Sequence, residues 1–303
     1  MRNDITVGFI GLGTMGAPMA RNVLHKGYRL VVADVVPAAV ASLTAAGALA
    51  ARTPKEVAAA SDFVITMLPD SPDVERVALG ADGIVAGIRA GSVYIDMSTI
   101  DPDTTCNVGR QIASKGASMI DSPVGKTADH AVAGTLTLMV GGPDDVVARC
   151  RPILDCMGTD FFHCGGLGAG QTMKLINNLL ATAVSEASIE ALVTGAKSGL
   201  TLDTMMSVLR TTMAWNNALA IALPKRPLAG DFSPGFMLKL AHKDCRLALG
   251  MAESLGVSAP VGRAAFASLD EGMRRGLADD DVGALLKLRE EPAGVEVRLS
   301  RAP

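Results

Sequence analysis

Short apolar runs alternate with helical patterns through the first half of the chain, and then the runs stop. Ile5–Ile10, Leu30–Ala33, Phe63–Leu68, Ser92–Asp96, Ser118–Asp121, Thr135–Val140 and Phe161–His163 read as strands, with Ala-, Leu- and Met-rich helical stretches between them. Thr53-Pro54-Lys55-Glu56 is a capping box with proline at the first helical position, and Ser71-Pro72 and Asp101-Pro102 open further helices. This alternation predicts an α/β domain built on a doubly wound parallel sheet. From Gly168 to Ser198 there is no proline, and after the opening glycines only Gly195 interrupts, which predicts one long helix. Beyond it every pattern is helical: Leu202–Met213, Asn216–Leu223, Met237–Leu255, Ala259–Arg275 and Val282–Arg289. The expected organisation is an N-terminal domain over 1–165 and an all-helical domain over 166–303. The second includes the interdomain helix 168–198 and ends in a polar, partly disordered tail from Glu290.

Composition narrows the class. The formal net charge of the 303 residues is -3 and no basic run occurs, so neither nucleic acid nor an anionic membrane is an expected partner. Five cysteines, without a Cys-x-x-Cys pair, argue against a disulfide framework and for a reducing, cytoplasmic compartment. No His/Cys spacing suits a metal, no leader pattern precedes Ile5, and no window spans a membrane without polar interruption. The long helix is apolar on more faces than one monomer covers easily, which predicts a homodimer or homotetramer.

The chemistry begins at the first turn. The strand Ile5–Ile10 runs into Gly11-Leu12-Gly13-Thr14-Met15-Gly16 and then a helix, and Asp34 closes the second strand 18 residues after Gly16. Glycines at these places permit a tight turn, close approach of a pyrophosphate and close helix packing, while an acid at the next strand end can hold the adenosine ribose. The N-terminal domain is therefore expected to be of the Rossmann type. Asp34 would repel a ribose phosphate and no arginine follows it closely, so NAD is expected over NADP. Ligands of such sheets lie beyond the carboxyl ends of strands, which singles out Leu68-Pro69 and Met97-Ser98-Thr99 as lining loops.

On the long helix, Lys174 shares a stripe with Asn177 and Asn178, three and four residues on. An ammonium beside two amides on an apolar helix suits a carbonyl reductase, which needs a proton donor. A lysine that merely snorkels to water is the alternative.

With these pieces the chain resembles the β-hydroxyacid dehydrogenase family, which includes 3-hydroxyisobutyrate dehydrogenase and tartronate semialdehyde reductase. The resemblance rests on Gly-Phe-Ile-Gly-Leu-Gly-Thr-Met-Gly-Ala-Pro-Met-Ala at the start, Asp-Met-Ser-Thr-Ile at 96–100 and Asp-Ser-Pro-Val from 121. Gly-x-Gly-x-x-x-Lys-x-x-x-Asn at 168–178 and Lys243-Asp244 complete it. It implies that Lys174 is the catalytic acid/base, that Asn178 with Asn177 and Ser98 helps to hold substrate, and that Thr99 and Lys243 lie near the nicotinamide. Burial near Lys243 is expected to lower the Lys174 pKa.

One departure bears on the substrate. Where most members place a serine and two glycines that cradle a carboxylate, this chain has Gly125-Lys126-Thr127. The loop is most similar to that of the sulfolactaldehyde reductase branch, with Lys126 in place of an arginine and Ala181 in place of a serine. An added cation and hydroxyl suit a sulfonate. The expected activity is NAD(H)-dependent interconversion of a short anionic semialdehyde and its hydroxy acid, with 3-sulfolactaldehyde first. Succinate semialdehyde/4-hydroxybutyrate and 3-hydroxyisobutyrate are the alternatives. An imine reductase is disfavoured by the presence of Lys174, and a non-catalytic dinucleotide-binding module by Lys174 with Asn178.

Overall fold

A computed structural model describes residues 4–299, and the chain divides into two compact units, Met1–Lys174 and Leu175–Pro303. The first unit is organised by nine strands: β1 (Thr6–Ile10), β2 (Arg29–Ala33), β3 (Leu49–Ala50), β4 (Phe63–Thr66), β5 (Val93–Asp96), β6 (Ser118–Asp121), β7 (Val124–Gly125), β8 (Leu136–Gly141) and β9 (Gly158–Gly165). They form one sheet in the order β3-β2-β1-β4-β5-β6-β8-β7, with β9 on β8. From β3 to β6 every pairing is parallel; β8 runs antiparallel to β6 and β7 and parallel to β9. The chain steps outward from β1 to β3 and then returns to β4 on the other side of β1. This reversal opens a crevice at the carboxyl ends of β1 and β4.

Alternation along each strand explains why the sheet is buried on both faces. Val7, Phe9, Leu30, Val32, Phe63, Ile65, Val93 and Ile95 enter one apolar layer, while Val31, Val64 and Tyr94 enter the opposite one with Val57, Ala78 and Ile84. Thr53 caps its helix as expected, its Oγ1 accepting the Glu56 N–H at 3.1 Å. The Glu56 carboxylate reaches back one residue further than a capping box requires, to the Arg52 N–H at 2.8 Å. β3, β7 and the helices Ile84–Gly87 and Ala128–Ala133 carry too few residues for periodicity to reveal them.

The long helix spans Ala169–Lys197. Among the described residues it is the one helix long and apolar enough to cross a membrane. Its Glu186, however, is buried with Arg289 and with the Ser268 hydroxyl at 2.9 Å, the environment of a core helix. The second unit is helical throughout: Leu202–Leu209, Leu238–Ser254, Pro260–Arg274 and Leu285–Ala293 join the long helix around Ile189, Leu192, Leu219, Leu238, Leu269 and Leu286. The helix expected over Asn216–Leu223 is a π-helical turn, Ala218–Ala222, that leads into Leu223–Lys225.

The expected loose tail is corrected. Helix continues to Ala293, and the buried Glu290 carboxylate accepts the Val297 N–H at 2.6 Å and Arg298 Nη1 at 2.5 Å, which seats Val297 in the core. Residues 300–303 of that tail lie outside the described residues.

Candidate active site

The turn after β1 has the form that a dinucleotide needs. Gly11 has φ +93°, and a Cβ on it would lie 2.3 Å from the Met67 carbonyl oxygen; a Cβ on Gly16 would lie 1.9 Å from the Gly11 oxygen. Both glycines are thus demanded by the close crossing of the turn with its own helix and with the end of β4. Gly13 differs, since a Cβ there would meet no atom within 4 Å. A group outside the protein, such as a pyrophosphate, is what would need that amide uncovered. Thr14 is exposed and Met15 half-buried; the helix Gly16–His25 begins at Met15 with no capping side chain and no acid in its first turn, so its positive end faces the turn without a competing carboxylate of its own, although its Ala17 N–H is bonded to the Gly13 carbonyl at 3.0 Å. Asp34 braces this turn, Oδ2 accepting the Leu12 N–H at 2.5 Å and Oδ1 the Val36 N–H at 2.7 Å. Each oxygen keeps a second lone pair for a ribose hydroxyl. The residues fit a nicotinamide dinucleotide.

The loops after β4 and β5 are joined beneath the same crevice. Ser98 is fully buried and its Oγ accepts the Leu68 N–H at 2.9 Å; Pro69 beside it is exposed. Ser98, expected against substrate, therefore ties two loops together in this structure. Its own N–H reaches Asp96 Oδ1 at 3.1 Å, and Thr66 Oγ1 donates to that oxygen at 2.8 Å. Gln171, from the long helix, spans the next turn: Nε2 donates to the Ser98 carbonyl at 2.8 Å, and Oε1 accepts the Ile100 N–H at 3.1 Å. Thr99 sits between those two peptide groups.

Asp121, at the end of β6, holds the start of the long helix. Oδ1 accepts the Gly168 N–H and Oδ2 the Gln171 N–H, both at 2.7 Å. The fit is close enough to require glycine at 170, where a Cβ would lie 2.2 Å from the Met139 carbonyl oxygen and 2.7 Å from Asp121 Oδ2. Burial raises the Asp121 pKa to about 7; the Asp96 charge adds to the rise, and the two main-chain donors oppose it. Burial and the Asp121 charge likewise raise the thiols of Cys106 and Cys164.

Lys174, half-buried, follows on the same helix one turn after Gly170. Within the second unit, Asn177 Nδ2 donates to Asn178 Oδ1 at 2.9 Å, and Asn178 Nδ2 donates to Asp244 Oδ2 at 2.5 Å. Lys243 Nζ lies 3.0 Å from Asp244 Oδ1. Asp244 is thus the hub that joins the expected Asn177, Asn178 and Lys243, and it is only 3% exposed. Asp244 belongs to the Lys243-Asp244 motif, but nothing local to it indicates this role. Asp121 opens the Asp-Ser-Pro-Val motif and Gln171 falls at an open position of the 168–178 motif, but their partners are distant in sequence and no local pattern names them.

The 125–127 loop is different in kind. Gly125 is buried in β7, whereas Lys126 is exposed at φ +77°, the one non-glycine at positive φ among the described residues. Its Nζ donates to the Thr135 carbonyl at 2.8 Å and to Asp160 Oδ2 at 2.6 Å. That ammonium holds Asp160 below the usual carboxylate range. Thr127 Oγ1 lies 2.9 Å from His130 Nδ1.

A glycine turn braced by Asp34 and a lysine on a helix anchored to the same sheet suit a nicotinamide-dependent oxidoreductase. Residues 6–166 match the NAD binding domain of 6-phosphogluconate dehydrogenase, and residues 168–289 match the domain described as NAD-binding of NADP-dependent 3-hydroxyisobutyrate dehydrogenase. The chain is 39% identical to the 3-sulfolactaldehyde reductase of Escherichia coli (strain K12) over 97% of its length and 98% of that protein. It is 38% identical to the 2-(hydroxymethyl)glutarate dehydrogenase of Eubacterium barkeri over 98% of its length and 99% of that protein. The solved 3-hydroxyisobutyrate dehydrogenase of Mycobacterium tuberculosis, with L-serine, superposes with a TM-score of 0.87 at 33% identity, covering 94% of this chain and 98% of that one. The chain belongs to the β-hydroxyacid dehydrogenase family, NAD(P)-dependent oxidoreductases that act on the CH–OH group of small hydroxy acids.

Proposed function

We propose that the protein is an NAD(H)-dependent dehydrogenase that interconverts a short anionic semialdehyde and its hydroxy acid, with Lys174 as the proton donor and 3-sulfolactaldehyde as the first candidate substrate. The observation that carries the chemistry is Lys174 itself, half-buried on a helix whose first turn is bonded to the cofactor-side loops through Asp121 and Gln171. A bound nicotinamide supplies the hydride to the carbonyl carbon, or takes it back in the reverse direction. The Lys174 ammonium stabilises the oxygen as negative charge develops on it and gives it a proton; in reverse the amine takes the hydroxyl proton. Asn178 and Asn177 are assigned to the substrate, and Thr99 and Lys243, each within its own unit, to the nicotinamide. Asp34, followed by the exposed Val35 and Val36, supports NADH over NADPH, since it offers a ribose phosphate repulsion and no cation.

The full-length similarity to a sulfolactaldehyde reductase and the Lys126-Thr127 pair support the sulfonate. A carboxylate substrate is the second reading, favoured by the Lys126–Asp160 bond, which occupies the ammonium that a sulfonate would use. Initial rates of NADH oxidation with 3-sulfolactaldehyde, succinate semialdehyde and methylmalonate semialdehyde at matched concentrations decide between them. A sulfonate preference of about a hundredfold in kcat/KM is expected for the first reading; equal or better turnover of a carboxylate sinks it. A rate with NADPH equal to that with NADH would remove the assigned role of Asp34. The exposed Ile176 and Leu180, one turn apart on the long helix, support a homodimer or homotetramer, which a monomer in light scattering would reject. The free cysteines support a cytoplasmic location.

A further inference from the structure

Proton donation by Lys174 leaves the buried Gln171 side chain unexplained. Gln171 has no exposure, and its carboxamide turns away from its own helix to bond the Ser98 carbonyl at 2.8 Å and the Ile100 N–H at 3.1 Å. These are the acceptor before Thr99 and the donor after it, the pair that a neighbouring β-strand would take. A carboxamide presents an N–H donor and a carbonyl acceptor side by side in one plane, so a side chain here does the work of a strand and fixes both peptide planes that flank Thr99. The main-chain N–H of the same residue is bound to Asp121 Oδ2 at 2.7 Å, and the Gly168 N–H to Oδ1. Gln171 is therefore tied to the β5 end through its side chain and to the β6 end through its backbone. Lys174 follows three residues later, its neighbour on the helix surface.

We propose that Gln171 is a positioning residue, holding the Thr99 turn and Lys174 in one register for proton transfer at the substrate oxygen. The inference rests on the reading of Lys174 given above. Displacement of a reacting group by an ångström can cost ~100-fold in rate, so a lock at this place is worth more to turnover than to the fold. A group that only satisfied buried peptides would, when removed, lower the melting temperature and leave turnover in the cold intact.

The test uses the full chain with Gln171→Leu and Gln171→Glu, assayed well below each variant's melting temperature. Amide hydrogen exchange, measured without substrate, reports the contact itself. The Ile100 amide should exchange at least ~10-fold faster in Gln171→Leu and stay protected in Gln171→Glu, which keeps the acceptor. With the aldehyde turned over best by the wild type, kcat of Gln171→Leu should fall about a hundredfold while the Kd for NADH moves less than about twofold. The isotope effect on kcat with NADH deuterated at C4 should rise, and Gln171→Glu should recover about tenfold of the loss. A kcat for Gln171→Leu within about threefold of wild type, or a loss carried wholly by NADH binding, would overturn the proposal. Failure of the parent reading looks different: the wild type itself would turn over none of the aldehydes, and both assignments would fall together.

Discussion

Asp121 and Lys126 stand five residues apart, one at the end of the interior strand β6 and the other just past β7 at the sheet's edge, yet they are built on opposite terms. Asp121 is wholly buried, and both its oxygens accept main-chain N–H groups of the long helix. Lys126 is exposed, carries a backbone angle that suits glycine, and spends its charge on a half-exposed aspartate. Buried bonds to main chain are costly to lose and cannot be rearranged, whereas an exposed ion pair is worth 1 kcal/mol or less and can be exchanged. On the proposed reading, Lys174 is fixed by a helix seat that the fold itself needs, and the anion would be met by a loop that the fold does not depend on.

The sharpest way to break this comparison is at the residue the seat serves. Lys174→Met should lower kcat by about 10²–10⁴-fold, the usual weight of a positioned acid, with NADH affinity measured by calorimetry unchanged. Equal loss of binding and turnover would mean that Lys174 supports the cofactor instead. Next in size, Asp121→Ala leaves the Gly168 and Gln171 N–H groups buried without their acceptor and should cost about 3 kcal/mol in denaturant melts. Asp121→Asn, which keeps one acceptor, should cost about half of that. A smaller effect concerns pH. The Asp121 carboxyl titrates near 7 in the fold against an ordinary 3.8, so the folded state holds that proton more tightly. Its stabilising share is complete below about pH 4 and is lost as pH rises towards 7. Melts of the wild type and Asp121→Asn at pH 5 and pH 8 should show a shallower decline in the variant; parallel declines would refute the shift. Smallest is Lys126→Gly. Relief of a left-handed backbone, ~1 kcal/mol, offsets loss of an exposed pair, so stability should change by less than about 1 kcal/mol. The ratio of sulfonate to carboxylate turnover should nevertheless move, and an unchanged ratio would remove Lys126 from specificity.

The same contrast explains what the sequence revealed. Gly11, Gly16 and Asp34 were legible because a tight turn and a strand end write their requirements into neighbouring residues. The long helix was legible from composition, and Lys174 from its odd place on it. The bonds of Asp121 to Gly168 and Gln171 cross 47 and 50 residues, and that of Asn178 to Asp244 crosses 66, so no spacing rule reports them. Lys126 was read for its charge, whereas its partner Asp160 lies on β9 and meets it only because β8 brings the two strands' ends together. The tail was read as loose because Glu290, Glu291, Glu296 and Arg298 look like solvated residues; burial of Glu290 against Arg298 is a tertiary fact.

Lys126 holds a conformation that glycine adopts at no cost, and this gives the chain a reversible path through sequence space. A change to glycine removes the cation and relaxes the backbone together, and the return restores both, so neither step requires compensation elsewhere. On the proposed reading, substrate choice at this loop can therefore drift under selection, while the seat of the long helix at the end of the interior strand β6 stays under the constraint of folding itself.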